Sequence, residues 1–341
     1  MYYNKCRYSF NYILWVYSIL YLIGVIVATT IFFIYICSIF LWYKNIMNKH
    51  TLNNIIEMKK IVSLWLSFWL TSVLVCFGQN VRVLDIESPG ALSMQLSYND
   101  LEEITDLTLM GKMNAKDFGV IGLYMNNLKV LNLMDVTIEG YTGSTNPQVP
   151  ATVYRADEMP PKAFLNKKYL TSIVLPRNLT GIGESAFAGC MSLPTIVLPP
   201  TLRVIGEKAF EGCIGLRSLD IPKSVVSIEG QAFYNCSGLS DVKFNEGLQT
   251  IGRLAFGNCI SLETIRLPYS LTEIGESAFA HCKKLKHIYV RNPEPIRFDE
   301  NTEGPYAGVY KQITLHVPAN SVEKYSSACV WDKLKHIRPA N

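Results

Sequence analysis

Apolar residues return along this chain at one fixed step. Ile182, Ile205, Ile228, Ile251 and Ile274 stand 23 positions apart, and Leu193, Leu216, Leu239, Leu262 and Leu285 keep the same phase. So do Phe187, Phe210, Phe233, Phe256 and Phe279, and with them Cys190, Cys213, Cys236, Cys259 and Cys282. A period in the 20–29 range with apolar positions locked in phase marks a solenoid, whose units bury their faces only against one another. Aligned, the unit reads L-x-x-I-x-L-P-x-x-L-x-x-I-G-x-x-A-F-x-x-C. Its L-x-x-I-x-L stretch has apolar residues two apart, the period of a strand with one buried face. Pro176, Pro199, Pro222 and Pro268 follow that stretch and end it, because proline cannot donate to a strand ladder. The A-F-x-x-C stretch has helical-turn spacing and predicts a short turn or 3₁₀ segment on the opposite side. One strand per unit, all running the same way, predicts a parallel sheet along one face. Six such strands begin near Leu170, Leu193, Leu216, Leu239, Leu262 and Leu285, a sheet roughly 25–30 Å long at about 4.8 Å per strand.

The pattern loosens at both ends. A partial first copy has Ala163-Phe164 and Leu170 in phase, with Lys167 where the cysteine belongs. Further upstream, Leu101, Ile104, Leu107 and Leu109 predict one strand, and Leu128, Leu131 and Leu133 another. Between them Asn114 can cap a helix, with Asp117 at the capping-box position and Phe118, Ile121 and Met125 turned inward. Gly140 to Pro160 reads as a polar excursion, and Asn292 to Gln312 as a second long loop. After these come a strand, Ile313 to Val317, and an amphipathic tail with Tyr325, Trp331, Leu334 and Ile337. A solenoid exposes a raw apolar cross-section at its end, and such a tail would cover it.

Charge separates the front of the chain from its body. Of the total +4, residues 1–78 carry six basic residues against Glu57, a net +5, which leaves −1 for residues 79–341. A near-neutral body has no basic footprint for nucleic acid. Tyr8 to Tyr43 holds no charged residue and is long enough to span a bilayer. Then Met58-Lys59-Lys60, the apolar run Ile61 to Phe77, and Gly78-Gln79 have the layout of a secretory signal cleaved after Gly78. Val75 before Cys76 is not the small residue of a lipoprotein signal. Two readings of the front end stand. In the preferred one synthesis starts at Met58 or Met47, and the Tyr, Ile, Phe, Asn and Lys of residues 1–57 reflect AT-rich codons outside the gene. In the other, residues 10–43 form a membrane anchor. The chain therefore divides into 1–57, a signal at 58–78, an N-terminal capping region at 79–158, repeats at 159–291, and a C-terminal loop and cap at 292–341.

The repeat L-x-x-I-x-L-P…I-G-x-x-A-F-x-x-C resembles the BspA-like leucine-rich repeats of bacterial surface and secreted proteins. The tail Leu315-His-Val-Pro318…Tyr325…Val330-Trp331…Ile337 is similar to the closing module many of them carry. The resemblance implies an α/β repeat solenoid, a right-handed leucine-rich-repeat superhelix with a parallel sheet on one face and short turns on the other. It also implies a cell-surface or secreted location and an adhesion-type role, with a host matrix protein among the candidate partners. The repeat consensus itself carries no ligand motif.

Candidate chemistry is sparse. The cysteine ladder offers one thiol per unit, so it lacks the short paired spacing of a zinc site, and five equivalent positions cannot all pair as disulfides. We read it as buried free thiols packing as small hydrophobes, with Cys329 outside the ladder. Gly181-Ile-Gly183-Glu-Ser-Ala-Phe lacks the third glycine of a dinucleotide loop and recurs as scaffold. No catalytic motif, metal site or cofactor site is predicted. What remains is the solvent side of the sheet. Its outward residues are Val174, Val197, Asp220, Lys243, Arg266 and Tyr289 in successive units, flanked by Ser172, Thr195, Ser218, Asp241, Thr264 and His287. Arg266 beside Tyr289 pairs two residue types favoured in interface hot spots. Two functions stay open: a non-enzymatic module binding an extracellular protein or glycan on this face, and an architectural domain with no ligand of its own. Variation from unit to unit at the outward positions favours the first.

The signal layout generates a processing prediction. Amino-terminal sequencing of the exported protein should begin at or near Gln79. Recovery of an intact membrane-bound chain retaining Tyr8 to Tyr43 would instead establish the anchored form.

Overall fold

The computed structural model describes residues 80–144, 152–296, 298 and 304–340. The readings for 1–57 and for the signal at 58–78 lie outside the described residues. Among the described residues no helix is long and apolar enough to cross a membrane.

The strand face forms where the alternation predicts it, and it is longer than six strands. Val81–Ile86, Asp106–Met113, Val130–Ile138 and Ser172–Val174 pair in parallel in that order. Thr195 bridges to Ser218, and Ser218–Asp220 pairs with Asp241–Lys243. Thr264–Leu267, His287–Val290, Thr314–Val317 and His336–Pro339 complete the row, again in parallel. Val81–Ile86 was not expected as a strand. The segment beginning at Leu101 divides differently from expectation. Ser97 caps a helix over Tyr98–Glu103 in a capping box with Asp100, and the strand starts only at Asp106. Gly140 to Pro160 contains an antiparallel hairpin, Tyr141–Gly143 against Thr152–Tyr154.

Each repeat contributes a second strand that the alternation conceals. Glu158–Met159, Gly181–Ile182, Val204–Ile205, Ser227–Ile228, Thr250–Ile251 and Glu273–Ile274 form a separate six-stranded parallel ladder. Two residues are too few to show a period, so the I-G segment reads as a turn. The glycine after the isoleucine follows from this stacking. A Cβ at Gly206 would lie 2.6 Å from the Ile182 carbonyl oxygen, and one at Gly275 2.4 Å from the Arg253 nitrogen. At these two positions a side chain would displace the neighbouring backbone, although Glu229 holds the equivalent place in a rung between them.

The A-F-x-x-C corner is a chain of turns, not a 3₁₀ helix. Ala186, Ala188 and Cys190 donate to Gly183, Ser185 and Phe187, each three residues back. Ser185 and Gly189 take left-handed φ of 54° and 73°, at the third position of their four-residue turns, as type II turns require. Lys208, Gln231, Leu254 and Ser277 repeat the strained position at φ 55–57°. Each costs about 1–2 kcal/mol relative to right-handed backbone, and the inter-rung bonds offset that cost. The turned backbone aims alternate N–H groups at the next rung. Phe187 donates to the Ala209 carbonyl, Phe210 to Ala232 and Phe233 to Ala255, each at 2.7 Å.

Inside the corner the phenylalanines stack. Ring centroids from Phe187 to Phe279 are 5.0–5.5 Å apart with planes within 11° of parallel. The five ladder cysteines are buried free thiols. Their position has a polar reason as well as a steric one. Cys213 Sγ donates to the Phe187 carbonyl at 3.2 Å, and the other four make the same contact 26 residues back at 3.1–3.3 Å. Burial pushes the Cys190 and Cys282 thiols up to about 12 and the three between them well above the ordinary value.

Both ends of the column are closed. Asn114 caps the helix Ala115–Tyr124 with Asp117 in the capping box, and Phe118 meets Phe164 edge-on at 6.0 Å. Lys167, in the cysteine position of the first copy, is only 2% exposed and donates to the Met125 carbonyl at 2.9 Å. At the other end the expected loop Asn292 to Gln312 contains a degenerate rung. Phe279 donates to the Pro305 carbonyl at 2.8 Å, and Tyr306 extends the ring stack at 5.8 Å. Trp331 and Tyr325 then close the column, Trp331 Nε1 donating to the Ile296 carbonyl at 3.0 Å.

Two measurements check this packing. Phe233 is fully buried between rings 5.1 Å away on either side. Phe233→Ala should therefore cost about 3–5 kcal/mol in denaturant unfolding. Lys243→Ala, which removes one exposed ion pair, should cost under about 0.5 kcal/mol. Equal midpoints would reverse the inward and outward assignments. A thiol reagent should modify Cys329 in the native protein and the five ladder thiols only on unfolding. A Cys213–Cys236 bridge found by mass spectrometry would overturn the free-thiol ladder.

Candidate interaction surface on the strand face

Because strands pair in register, the outward side chains of neighbouring rungs stand side by side in a row. Val83, Thr108, Asn132 and Val174 are successive partners at the amino-terminal end. The row continues through Val197, Asp220, Lys243, Arg266, Tyr289, His316 and Arg338. Three zones follow from residue type. Val174 and Val197 form an apolar zone, with Val197 76% exposed. Asp220 and Lys243 then neutralise each other through an ion pair at 3.3 Å, and Asn245 Nδ2 donates to Asp220 at 2.8 Å. Asp241 is exposed beside them. An exposed pair of this kind contributes less than about 1 kcal/mol to stability.

The third zone is built differently. The Arg266 guanidinium lies over the Tyr289 ring, 4.9 Å from its centroid. On the other side of Tyr289 the His316 ring stacks at 4.2 Å with planes 11° apart. His287 Nδ1 and His316 Nε2 are 3.2 Å apart, within hydrogen-bond distance. Arg338 is the in-register neighbour of His316, and His336 that of Thr314. Burial holds the His316 imidazole below its ordinary range, and the charges of His287 and Arg338 add to that depression. The outward positions of the last four strands are Thr264, Arg266, His287, Tyr289, Thr314, His316, His336 and Arg338, none of them a carboxylate. Neither Arg266 nor Arg338 has a carboxylate partner among the described residues.

The structure thus sets Arg266, Tyr289 and His287 in one contiguous patch. It places Val174 and Val197 rungs away, and Asp220, Lys243 and Asp241 between. His316, His336 and Arg338 were not named from the sequence as face residues. His316 could have been, since it alternates with Leu315 and Val317 in the expected strand. His336 and Arg338 alternate around Ile337, but the segment reads as an amphipathic tail because its strand character comes from pairing. Among the described residues, no three His, Cys, Asp or Glu side chains gather in an arrangement able to hold a metal ion.

Comparison with known proteins bears on the scaffold. Residues 157–286 match the BspA-type leucine-rich repeat region, in six copies. Among solved structures, the T. pallidum leucine-rich repeat protein is 31% identical over 40% of this chain and 67% of that one, with a TM-score of 0.33. A leucine-rich cell surface protein from Faecalibacterium prausnitzii is 17% identical over 75% of this chain and 79% of that one, TM-score 0.32. The pneumococcal vaccine antigen PcpA is 16% identical over 75% and 68%, TM-score 0.35. None of the curated proteins matches the sequence.

Proposed function

The chain belongs to the BspA-type leucine-rich repeat family, and from that premise we propose that it is an exported, non-enzymatic binding protein acting at the bacterial cell surface. Its ligand is an extracellular protein or glycan held on the strand face, and its attachment is of the adhesion type. The observation that carries this reading is the contrast between the two sides of the strands. Inward positions repeat the same residue types from rung to rung, because the column constrains them. Outward positions run from Val174 and Val197 through Asp220 and Lys243 to Arg266 and Tyr289, and gather Arg266, Tyr289, His316 and Arg338 into one contiguous row. Scaffold alone requires no such gathering. Export rests on the signal layout from Met58 to Gly78.

The same face suits binding energetically. Its side chains stand on strands fixed by ladders at several corners, so a partner meets little ordering cost on this side. A protein partner of standard size would cover about 800 Å² here. The test is a pull-down from host matrix and cell-surface material, followed by comparison of variants. Arg266→Ala or Tyr289→Ala should cost about 2 kcal/mol or more of affinity. Arg253→Ala, which removes an exposed ion pair with Glu276 on the other side of the rung, should leave binding unchanged. Loss of binding with Arg253→Ala alone would move the site to the opposite face. Failure to capture any ligand would favour a purely architectural role.

A further inference from the structure

The third zone of the strand face specifies the chemistry of what it binds. Aromatic side chains on a protein surface commonly offer a ring face, on which a sugar ring or another apolar plane can lie. Tyr289 offers none. One face lies under the Arg266 guanidinium at 4.9 Å, and the other lies against His316 at 4.2 Å. What the stack presents outward is its edge: a phenol hydroxyl, imidazole nitrogens and guanidinium N–H groups. Edges of this kind recognise by hydrogen bonding and charge, not by stacking. The charge has one sign, since the eight outward positions include two arginines and three histidines and no acid. Arginine forks match carboxylates in two-point geometry. The zone is also bounded, because Asp220 and Asp241 stand two and one strands before Thr264–Leu267 and would repel an anion that extended past Lys243.

We propose that the Arg266–Tyr289–His316–Arg338 row, with His287 and His336 beside it, is a docking site for a short extended acidic peptide segment of a partner protein. This rests on the reading of the strand face as the binding face and adds the ligand class. The spacing carries the choice of an extended segment. Arg266 and Arg338 lie three strands apart, about 14 Å at about 4.8 Å per strand. In an extended peptide, carboxylates four residues apart are separated by about 13–14 Å. The covered faces of Tyr289 argue against a neutral glycan.

The site is built to respond to pH. The strands on either side of His316 turn His287 and Tyr289 towards it from one side, and His336 and Arg338 from the other. With no acid facing it, His316 gains a proton less readily than an isolated imidazole, for the reasons of burial and neighbouring positive charge given above. A carboxylate arriving beside it reverses that balance and favours the proton. Binding therefore takes up protons, and affinity rises as pH falls through the ordinary histidine range. Aspartate, with an unperturbed pKa of about 3.9, stays ionised over that range.

The experiment uses the full-length chain in non-ionic detergent, titrated with a fluorescent deca-aspartate peptide. Deca-asparagine and a heparin oligosaccharide serve as comparison probes. Deca-aspartate should bind and deca-asparagine should not, with affinity falling as salt is raised. Arg266→Ala and Arg338→Ala should each weaken deca-aspartate at least tenfold, and Arg253→Ala should not. Lowering pH from 7.5 to 5.5 should strengthen binding several-fold, and His287→Asn/His316→Asn/His336→Asn should abolish that gain. All these residues are at the surface, and an unchanged thermal unfolding midpoint separates loss of binding from loss of fold. Binding of heparin but not deca-aspartate, with the same arginine dependence, would overturn the peptide assignment in favour of a sulfated glycan. Binding of neither probe would overturn the anion site. A pulled-down partner that still required Tyr289 would in that case leave the strand face standing as the binding face.

Discussion

Everything in this molecule depends on the satisfaction of each rung's backbone by the next. A 23-residue coil cannot close a hydrogen-bond network on itself, and buried N–H and C=O groups left unpaired cost a few kcal/mol each. The chain meets this demand at three corners: the long strand face, the two-residue ladder at I-G, and the turned A-F corner, where Phe N–H groups reach the next alanine carbonyl. Side chains fill only what these ladders leave. The phenylalanines occupy the space inside the third corner at the spacing the ladders impose. The ladder thiols then add a contact to the phenylalanine carbonyls of the rung before. Serine could also donate there, but cysteine does so while remaining one of the most readily buried side chains.

A ladder without a next rung is a liability, and the two ends resolve it by different chemistry. At the first rung the partner is the end of a helix, whose last carbonyls have no intrahelical donor. A thiol could not reach it. Lys167 does, carrying a positive charge to the negative end of the helix dipole at Met125 and donating to Asn126 Oδ1 at 3.2 Å. Burial lowers its pKa to about 8, so it stays mostly protonated at neutral pH and keeps its donors. The last rung is finished by substitution of larger aromatics. Tyr306 continues the stack and Trp331 covers it, while the Tyr325 hydroxyl donates to the carbonyls of Asn292 and Glu294 at 2.9 and 3.2 Å.

These two features explain what could be read from the sequence and what could not. Strand positions facing the core are forced to be apolar at period two, so Leu219 or Ile265 betray their structure in the bare pattern. The helix at Ala115–Tyr124 is equally legible, because its cap is a local device spelled by Asn114 and Asp117. The I-G ladder is held by pairing between units, and pairing leaves no mark on a two-residue stretch except the glycine that follows Ile182, Ile205, Ile251 and Ile274, where backbones approach closely. The seventh rung was hidden by divergence. Pro305-Tyr306-Ala307-Gly308-Val309 departs from Ala186-Phe187-Ala188-Gly189-Cys190 at three of five positions, yet it preserves size, the left-handed glycine and the turn. Aligning by shape, not identity, would have found it. On the strand face, Arg266, Tyr289 and His287 were visible as outward residues. Their union with His316 and Arg338 needed the order of the strands, because Asn292 to Gln312 interrupts the period between them.

That interruption is where the scaffold and the function separate. While the period holds, each outward residue has a neighbour exactly one rung away whose identity the core does not constrain, and Asp220 answers Lys243 as charges on a solvated surface do. Once the period breaks, the cap supplies the last two strands of the face, and they carry His316, His336 and Arg338 without a compensating acid. A cap needed only to seal the column could place any polar residue there. Uncompensated positive charge on a rigid strand face is mildly unfavourable to the folded state through self-repulsion, and at His316 it adds to the larger effect of burial in disfavouring the protonated ring. The arrangement contributes nothing to the column that Trp331 and Tyr325 do not already supply. The row that joins Arg266, His287 and Tyr289 of the repeats to His316, His336 and Arg338 of the cap is therefore the feature of the face that the column does not explain, and the proposed acidic-peptide site is built on it.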